Sequence, residues 1–139
     1  MKLKTDTKKI EKIQERGLRI VFQDTVSNYQ DLLDKANLKN QEENRIQGIL
    51  VEVFKALKGQ TPVYIKELFV EKDTSYDLVR KDQLTLYHHR TKAYGIQTFS
   101  HQGARMWNKL DNSYKNCETA KDFKNGLSNF NVVTLRSNF

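Results

Sequence analysis

Hydrophobic residues recur at helical spacing along most of the chain, and the first such pattern lies in TKKIEKIQERGLRIVF. On a helix, one side of this segment is apolar and another is basic. The apolar positions are Ile10, Ile13, Gly17, Ile20 and Val21, and the basic positions are Lys8, Lys12, Arg16 and Arg19. Glu15 stands four residues before Arg19, a spacing that supports a helix through an ion pair. The pattern predicts an amphipathic first helix with a basic face.

The strongest helical pattern lies between Asn40 and Gly59. Asn40 is a good N-cap, and Gly59 stands where the end of a helix favours a left-handed residue. Apolar residues recur between them at Ile46, Ile49, Leu50, Val53, Phe54 and Leu57. We expect this helix to form the core of the fold, with a shorter helix before it in SNYQDLLDKA, capped by Ser27 or Asn28.

The only proline, Pro62, predicts another short helix, with Thr61 as its N-cap. Helical spacing then disappears over residues 70–99. Within them, LTLYH and GIQTF are candidates for short extended strands that pair with each other. The sequence therefore predicts a loop-rich linker here, which can hold a short β-hairpin.

Helical patterns return in FSHQGARMWNKL, which holds the only tryptophan. Ser100 is a candidate N-cap, and Trp107 shares one side of the helix with Ala104 and Leu110. Thr119 and Asp122 then resemble a capping box. The stripe that follows consists of Ala120, Phe123, Leu127 and Phe130. We expect two helices to close around Trp107 as a core residue, with stacking on a nucleic-acid base as the alternative.

These patterns predict a mainly α fold, a small bundle of about five to six helices with an irregular middle segment. Residues 1–69 are expected to form a helical domain, and residues 70–99 the linker. Residues 100–130 are expected to form a helical hairpin around Trp107, and residues 131–139 a tail without an assigned structure.

Composition narrows the class of protein. A length of 139 residues suits one domain, and no segment is apolar enough for a membrane helix or a secretory signal. A single cysteine, Cys117, cannot form an internal disulfide. We therefore expect an intracellular protein, nuclear or cytoplasmic, without a membrane.

The net charge of +7 is concentrated at the two ends of the chain. Residues 1–24 hold seven basic and four acidic side chains, residues 25–87 nine and ten, and residues 88–139 eight and three. A polyanion contacted by both ends would suit this distribution, because neutralised phosphates release condensed counterions. The simpler alternative is a solvated basic surface.

Residue patterns of catalytic sites are missing. His88, His89, His101 and Cys117 lack the spacing of a zinc site, and no glycine-rich phosphate loop occurs. The paired aspartates that hold two metal ions in a polymerase are also missing. We expect neither an enzyme nor a cofactor or metal site.

Five blocks, in order, carry a resemblance to a known family. They are KIEKIQERGLRIVF, SNYQDLLDKANL, NRIQGILVEVFKALKGQTPVYIKELF, YGIQTFSHQGARMWNKL and ETAKDFKNGL. Together they resemble the C-terminal region of non-LTR (LINE-type) retrotransposon reverse transcriptases of the jockey-like and chicken-repeat-like group. Asp111 replaces a proline usual in that family, and Asn44 with Arg45 replaces paired arginines, as in a drifted copy.

The resemblance implies that the first helices are thumb-like and lie along a template–primer duplex, while the catalytic palm would precede residue 1. It predicts a non-catalytic fragment that binds RNA or an RNA/DNA hybrid through backbone phosphates. The candidate contacts are Lys8, Lys12, Arg16, Arg19, Arg105 and Lys109, with Arg90 and Lys92 as weaker candidates. The alternative is a structural or protein-interaction remnant that docks onto a reverse transcriptase palm or associates with itself.

Overall fold

The computed structural model of the chain describes residues 2–72, 83–86, 88, 90–91 and 94–136. Eight α-helices occur in these residues, and a short 3-10 helix spans Gly95–Gln97. The α-helices are α1 (Lys2–Phe22), α2 (Tyr29–Ala36), α3 (Gln41–Leu57), α4 (Val63–Lys66), α5 (Phe99–Lys109), α6 (Asn112–Lys115), α7 (Ala120–Ser128) and α8 (Val133–Arg136). Three of them, α4, α6 and α8, are single turns of 4 residues. The predicted mainly helical fold is confirmed.

The chain divides into two compact units, residues 1–45 and residues 46–139. The division falls inside α3, whereas the sequence pattern predicts a domain boundary after residue 69. The physical reason is that α3 from Ile46 onward belongs to a single hydrophobic cluster with residues as distant as Leu135. A long apolar stripe indicates a core helix, but not which later elements share its core.

The first unit has a small core of Leu18 from α1 and Leu32 and Leu33 from α2. Between the two helices, the carboxylate of Asp24 accepts hydrogen bonds from the backbone N–H groups of Val26 and Ser27, at 3.0 Å each, and from the Ser27 hydroxyl at 2.6 Å. These bonds, led by the Ser27 hydroxyl, lower the pKa of Asp24 to about 2. The loop is thus organised by one ionised side chain.

A polar contact joins three segments of the first unit. The Tyr29 hydroxyl donates a hydrogen bond to the Glu11 carboxylate, which also accepts from the backbone N–H of Glu42 at 3.2 Å. Burial of the hydroxyl, followed by the effects of Glu11, raises the pKa of Tyr29 above its ordinary value. Glu11 therefore links α1 to α2 and to the first turn of α3.

The core of the second unit is built around three stacked or tilted aromatic rings. Phe54 of α3 stacks on Phe123 of α7 with ring centroids 4.6 Å apart, and Trp107 of α5 lies 5.9 Å from Phe123. Trp107 is buried, as are Ala104 on the same helix and Leu110, which follows its last residue. The predicted core role of Trp107 is confirmed.

Several predicted helix ends are confirmed. The Asn40 side chain accepts from the backbone N–H of Glu43 at 2.8 Å, and the Thr119 hydroxyl accepts from that of Asp122 at 3.1 Å. Gly59 has a φ of 72°, in the left-handed region. Ser100 is not the cap of α5, because Thr98 holds the N-cap position and Ser100 lies within the first turn.

The middle segment pairs differently from the prediction. Glu71 and Leu84 form an antiparallel bridge, while Gly95–Gln97 is a 3-10 helix. The expected pairing of LTLYH with GIQTF is thus wrong, since the 3-10 turn occupies the second segment and the Leu84 backbone is held elsewhere. Residues 73–82, 87, 89 and 92–93 lie outside the described part of the chain.

Part of the predicted tail, residues 131–139, contributes to the core of the second unit. Val132 and Leu135 are buried, and the backbone N–H of Val133 donates to the Asn131 side chain at 3.2 Å at the start of α8. The only sign of this packing in the sequence is that Val132 and Leu135, two apolar residues three positions apart, follow Asn131. In the residues described, no helix has both the length and the apolar composition needed to cross a membrane.

Candidate nucleic-acid interface

Helix α1 presents a row of cations to solvent. Lys8, Lys12 and Arg16 are all exposed, and they succeed one another at four-residue spacing. With a rise of about 1.5 Å per residue, successive charges along the helix lie about 6 Å apart. A row of this pitch is suited to an elongated polyanion, because several phosphates can be neutralised along one line.

Arg19, the fourth member of the predicted row, is engaged within the helix. Its guanidinium forms an ion pair with Glu15, with Nη2 2.7 Å from the carboxylate oxygen Oε1, and the side chains are 28% and 30% exposed. The predicted Glu15–Arg19 pair is therefore confirmed. Arg19 Nη1 also donates to the backbone carbonyl of Asp24 at 3.4 Å. Arg19 organises the end of α1 and carries a charge that Glu15 already offsets.

The buried side of α1 differs from the predicted apolar stripe. Leu18 is buried and Phe22 is partly buried against the α2 leucines, yet the stripe residues remain in contact with solvent. Ile10, Ile13, Ile20 and Val21 are 43%, 69%, 78% and 73% exposed. At 100° per residue, α1 thus has three faces, one packed on α2, one basic and one apolar but uncovered.

The basic residues of α5 belong to the second unit and have other contacts. Lys109 Nζ donates to the backbone carbonyl of Leu135 at 3.1 Å, which joins α5 to α8. Arg105 is half-buried, Arg90 is exposed, and Lys92 lies outside the described residues. The stabilising contact of Lys109 was not evident from the sequence, because its partner is a carbonyl 26 residues away.

The described residues contain no group of three or more His, Cys, Asp and Glu side chains that could hold a metal ion. His88 is exposed, while His101 and Cys117 are half-buried. His89 lies outside the described part of the chain.

Comparisons with protein-family models, with curated proteins and with solved structures give no match. The resemblance to retrotransposon reverse transcriptases therefore depends on the order and spacing of the five sequence blocks.

One residue in those blocks has a structural role that sequence reasoning missed. Asn108 follows Trp107, and its side-chain amide bonds the backbone of Leu84. Gly103, in the same block, lies against Val53 and Phe69. In this block, then, Gly103 and Asn108 serve the packing of the second unit, whereas the candidate interface is on α1.

Proposed function

We propose that the chain is a non-catalytic nucleic-acid-binding protein that contacts the backbone phosphates of RNA or an RNA/DNA hybrid along α1. The observation that carries the proposal is the exposed row of Lys8, Lys12 and Arg16. Cations in line on a rigid helix are pre-arranged for a polyanion, and such contacts position a protein without reading the bases.

The resemblance to the thumb region of non-LTR reverse transcriptases favours a duplex with an RNA strand over other polyanions. In that family the equivalent helix lies along the template and primer. The matched blocks contain no paired aspartates, so polymerase chemistry forms no part of the proposal.

The other predicted basic residues should contribute less to nucleic-acid binding. Arg19 is offset by Glu15, and Lys109 is bound to the Leu135 carbonyl, so a phosphate would have to compete with contacts already made. We therefore expect Lys12 and Arg16 to contribute more to binding than Arg19 or Lys109.

The test is a titration of the full chain against a short labelled RNA/DNA hybrid at several salt concentrations. The double substitution Lys12→Glu with Arg16→Glu should weaken binding at least about tenfold at low salt and lower the salt slope by about two. The double substitution Lys121→Glu with Lys124→Glu changes the net charge equally on exposed positions of α7 and is the matched control.

Three outcomes would contradict the proposal. They are no detectable binding at low salt, no effect of the α1 substitutions, and an equal effect of the α7 substitutions. The last result would mean that only the net charge matters. Circular dichroism of each variant establishes that the helices are retained.

A further inference from the structure

Helix α1 packs on the first unit along one side, and the two ends of that side differ in chemistry. The residues on it recur every three or four positions and are Thr7, Glu11, Gln14, Leu18 and Phe22. Among the described residues, the apolar cluster of this unit includes only Leu18 and Phe22 from α1, both at its C-terminal end. The other three make hydrogen bonds, and we call them the polar seam.

The two ends of the polar seam contact different segments. Arg45 Nη2 donates to the Thr7 hydroxyl oxygen at 3.1 Å, and Gln14 Nε2 donates to the backbone carbonyl of Lys39 at 3.4 Å. Both partners follow α2 in the chain, so the polar seam fixes the N-terminal part of α1 to residues that lead into and begin α3.

Glu11 is the central residue of the polar seam. Its Oε2 accepts from the Tyr29 hydroxyl, and its Oε1 accepts from the backbone N–H of Glu42 at 3.2 Å. The same hydroxyl lies 2.7 Å from Gln14 Oε1. Hydrogen bonds to a carboxylate are stronger than those between neutral groups, so Glu11 contributes more to this attachment than either end of the seam.

Two cations of the proposed phosphate row lie beside the polar seam, N-terminal to the apolar contacts. Lys8 and Lys12 flank Glu11 in the sequence, and residues 5, 7, 10 and 13 are β-branched, which lowers helix propensity. A helix in water owes most of its stability to tertiary contacts. The helical spacing of Lys8 and Lys12 therefore depends on the hydrogen bonds of Glu11.

We propose that Glu11 is a positioning residue for the cationic row. Through Tyr29 and the Glu42 N–H it keeps the N-terminal half of α1 helical and docked, so that Lys8 and Lys12 keep the spacing that phosphates require. This inference rests on the proposed nucleic-acid binding. It gives an acidic side chain a favourable effect on the binding of a polyanion, whereas charge alone predicts the opposite, because a carboxylate beside the row repels phosphates.

The experiment compares Glu11→Ala with Glu11→Gln in the full chain. Both remove the same charge, and alanine favours a helix at least as well as glutamine. The glutamine side chain can accept from the Glu42 N–H and donate to the Tyr29 hydroxyl oxygen, whose proton then goes to Gln14. Alanine makes neither bond.

Binding of the labelled RNA/DNA hybrid at low salt is the first measurement. Glu11→Gln should bind as tightly as the native chain or more tightly, since one repulsive charge is gone. Glu11→Ala should bind at least about threefold more weakly than Glu11→Gln, although the two proteins have the same net charge.

Amide hydrogen exchange separates a positioning effect from a general loss of stability. In Glu11→Ala, the amides of residues 8–14 should exchange at least about threefold faster than in Glu11→Gln, while those of α7 should be unchanged. Tyr29→Phe removes the hydroxyl without changing the charge and should alter binding and exchange in the same direction. Tyr64→Phe, at a position 67% exposed, is its matched control and should alter neither.

Failure of this inference differs from failure of the proposed function. Suppose that the native chain binds and that Lys12→Glu with Arg16→Glu weakens binding. Equal binding by the two Glu11 variants would then refute the role of Glu11 alone, as would faster exchange in α7, which would mean that Glu11 supports the whole fold. No binding by the native chain would instead contradict the proposed function, and with it any part that Glu11 has in binding.

Discussion

The side-chain amide of Asn108 pairs with the backbone of Leu84 as a neighbouring β-strand would. Asn108 Oδ1 accepts from the Leu84 N–H at 2.7 Å, and Asn108 Nδ2 donates to the Leu84 carbonyl at 2.9 Å. On the other edge, the Thr85 N–H donates to the Val70 carbonyl at 2.7 Å. A helix side chain thus closes the inner edge of a short extended segment, and both polar groups of a buried residue are satisfied.

Replacing the small Asn108 side chain should therefore lower the stability of the fold noticeably. Asn108→Ala leaves the N–H and carbonyl of Leu84 without partners, which should lower the free energy of unfolding by about 1–3 kcal/mol in urea denaturation. Asn125→Ala, on an exposed position of α7, should be neutral or slightly stabilising, since alanine favours a helix. Equal effects of the two substitutions would mean that the Leu84 contact contributes nothing.

The sequence predicts local features of this fold well. The stripe on α3, the Asn40 and Thr119 caps and the turn at Gly59 each depend on residues within one or two helical turns, where spacing and chemistry are sufficient. The exposed basic row on α1 was predictable for the same reason.

Contacts between distant segments could not be predicted in this way. Asn108 and Leu84 are 24 residues apart, and nothing in either local pattern marks the other as its partner. On α1, the more regular apolar stripe is the uncovered one, while the packed face contains Leu18 beside polar groups such as Glu11. Periodicity identifies an apolar face, but the partner available in the fold decides which face is buried.

A second prediction compares two glycines within helices. A Cβ on Gly103 would lie 2.8 Å from Val53 Cγ2 and 3.1 Å from Phe69 Cε1, whereas in the described part of the chain a Cβ on Gly48 would meet no atom within 4 Å beyond its own helix backbone and adjacent residues. Gly103→Ala should therefore destabilise the protein by about 1–3 kcal/mol through overpacking, despite the better helix propensity of alanine. Gly48→Ala should stabilise it by up to about 1 kcal/mol. Thermal and urea unfolding of both variants measure this difference in stability. A Gly103→Ala variant as stable as the native chain would contradict the close packing of Gly103 against Val53 and Phe69.

A third prediction concerns acid stability. Hydrogen bonds from Ser27 and Val26, with the charge of Lys35, lower the pKa of Asp24 from 3.8 to about 2, so the folded state binds this proton less readily than the unfolded state. The stabilisation is complete above pH 3.8 and is lost as the pH falls toward about 2. The difference in unfolding free energy between the native chain and Asp24→Ala should shrink over that window.

The cause of this shift can be tested separately. Ser27→Ala removes the hydroxyl that contributes most, so an NMR titration of the Asp24 carboxyl should give a pKa nearer its ordinary value. A pKa that does not move would assign the shift to the backbone N–H groups instead.

The last prediction uses Trp107, the only tryptophan, whose fluorescence reports on one site. The ring is 5% exposed, with the rings of Phe54 and Phe123 at 6.5 and 5.9 Å. Emission should therefore resist quenching by acrylamide in the folded state and move to longer wavelength on unfolding in urea. Adding the RNA/DNA hybrid at low salt should leave the emission unchanged, even where anisotropy of the labelled hybrid reports binding. Strong quenching by the hybrid would instead mean that Trp107 stacks on a base, because a ring held in the core cannot reach one.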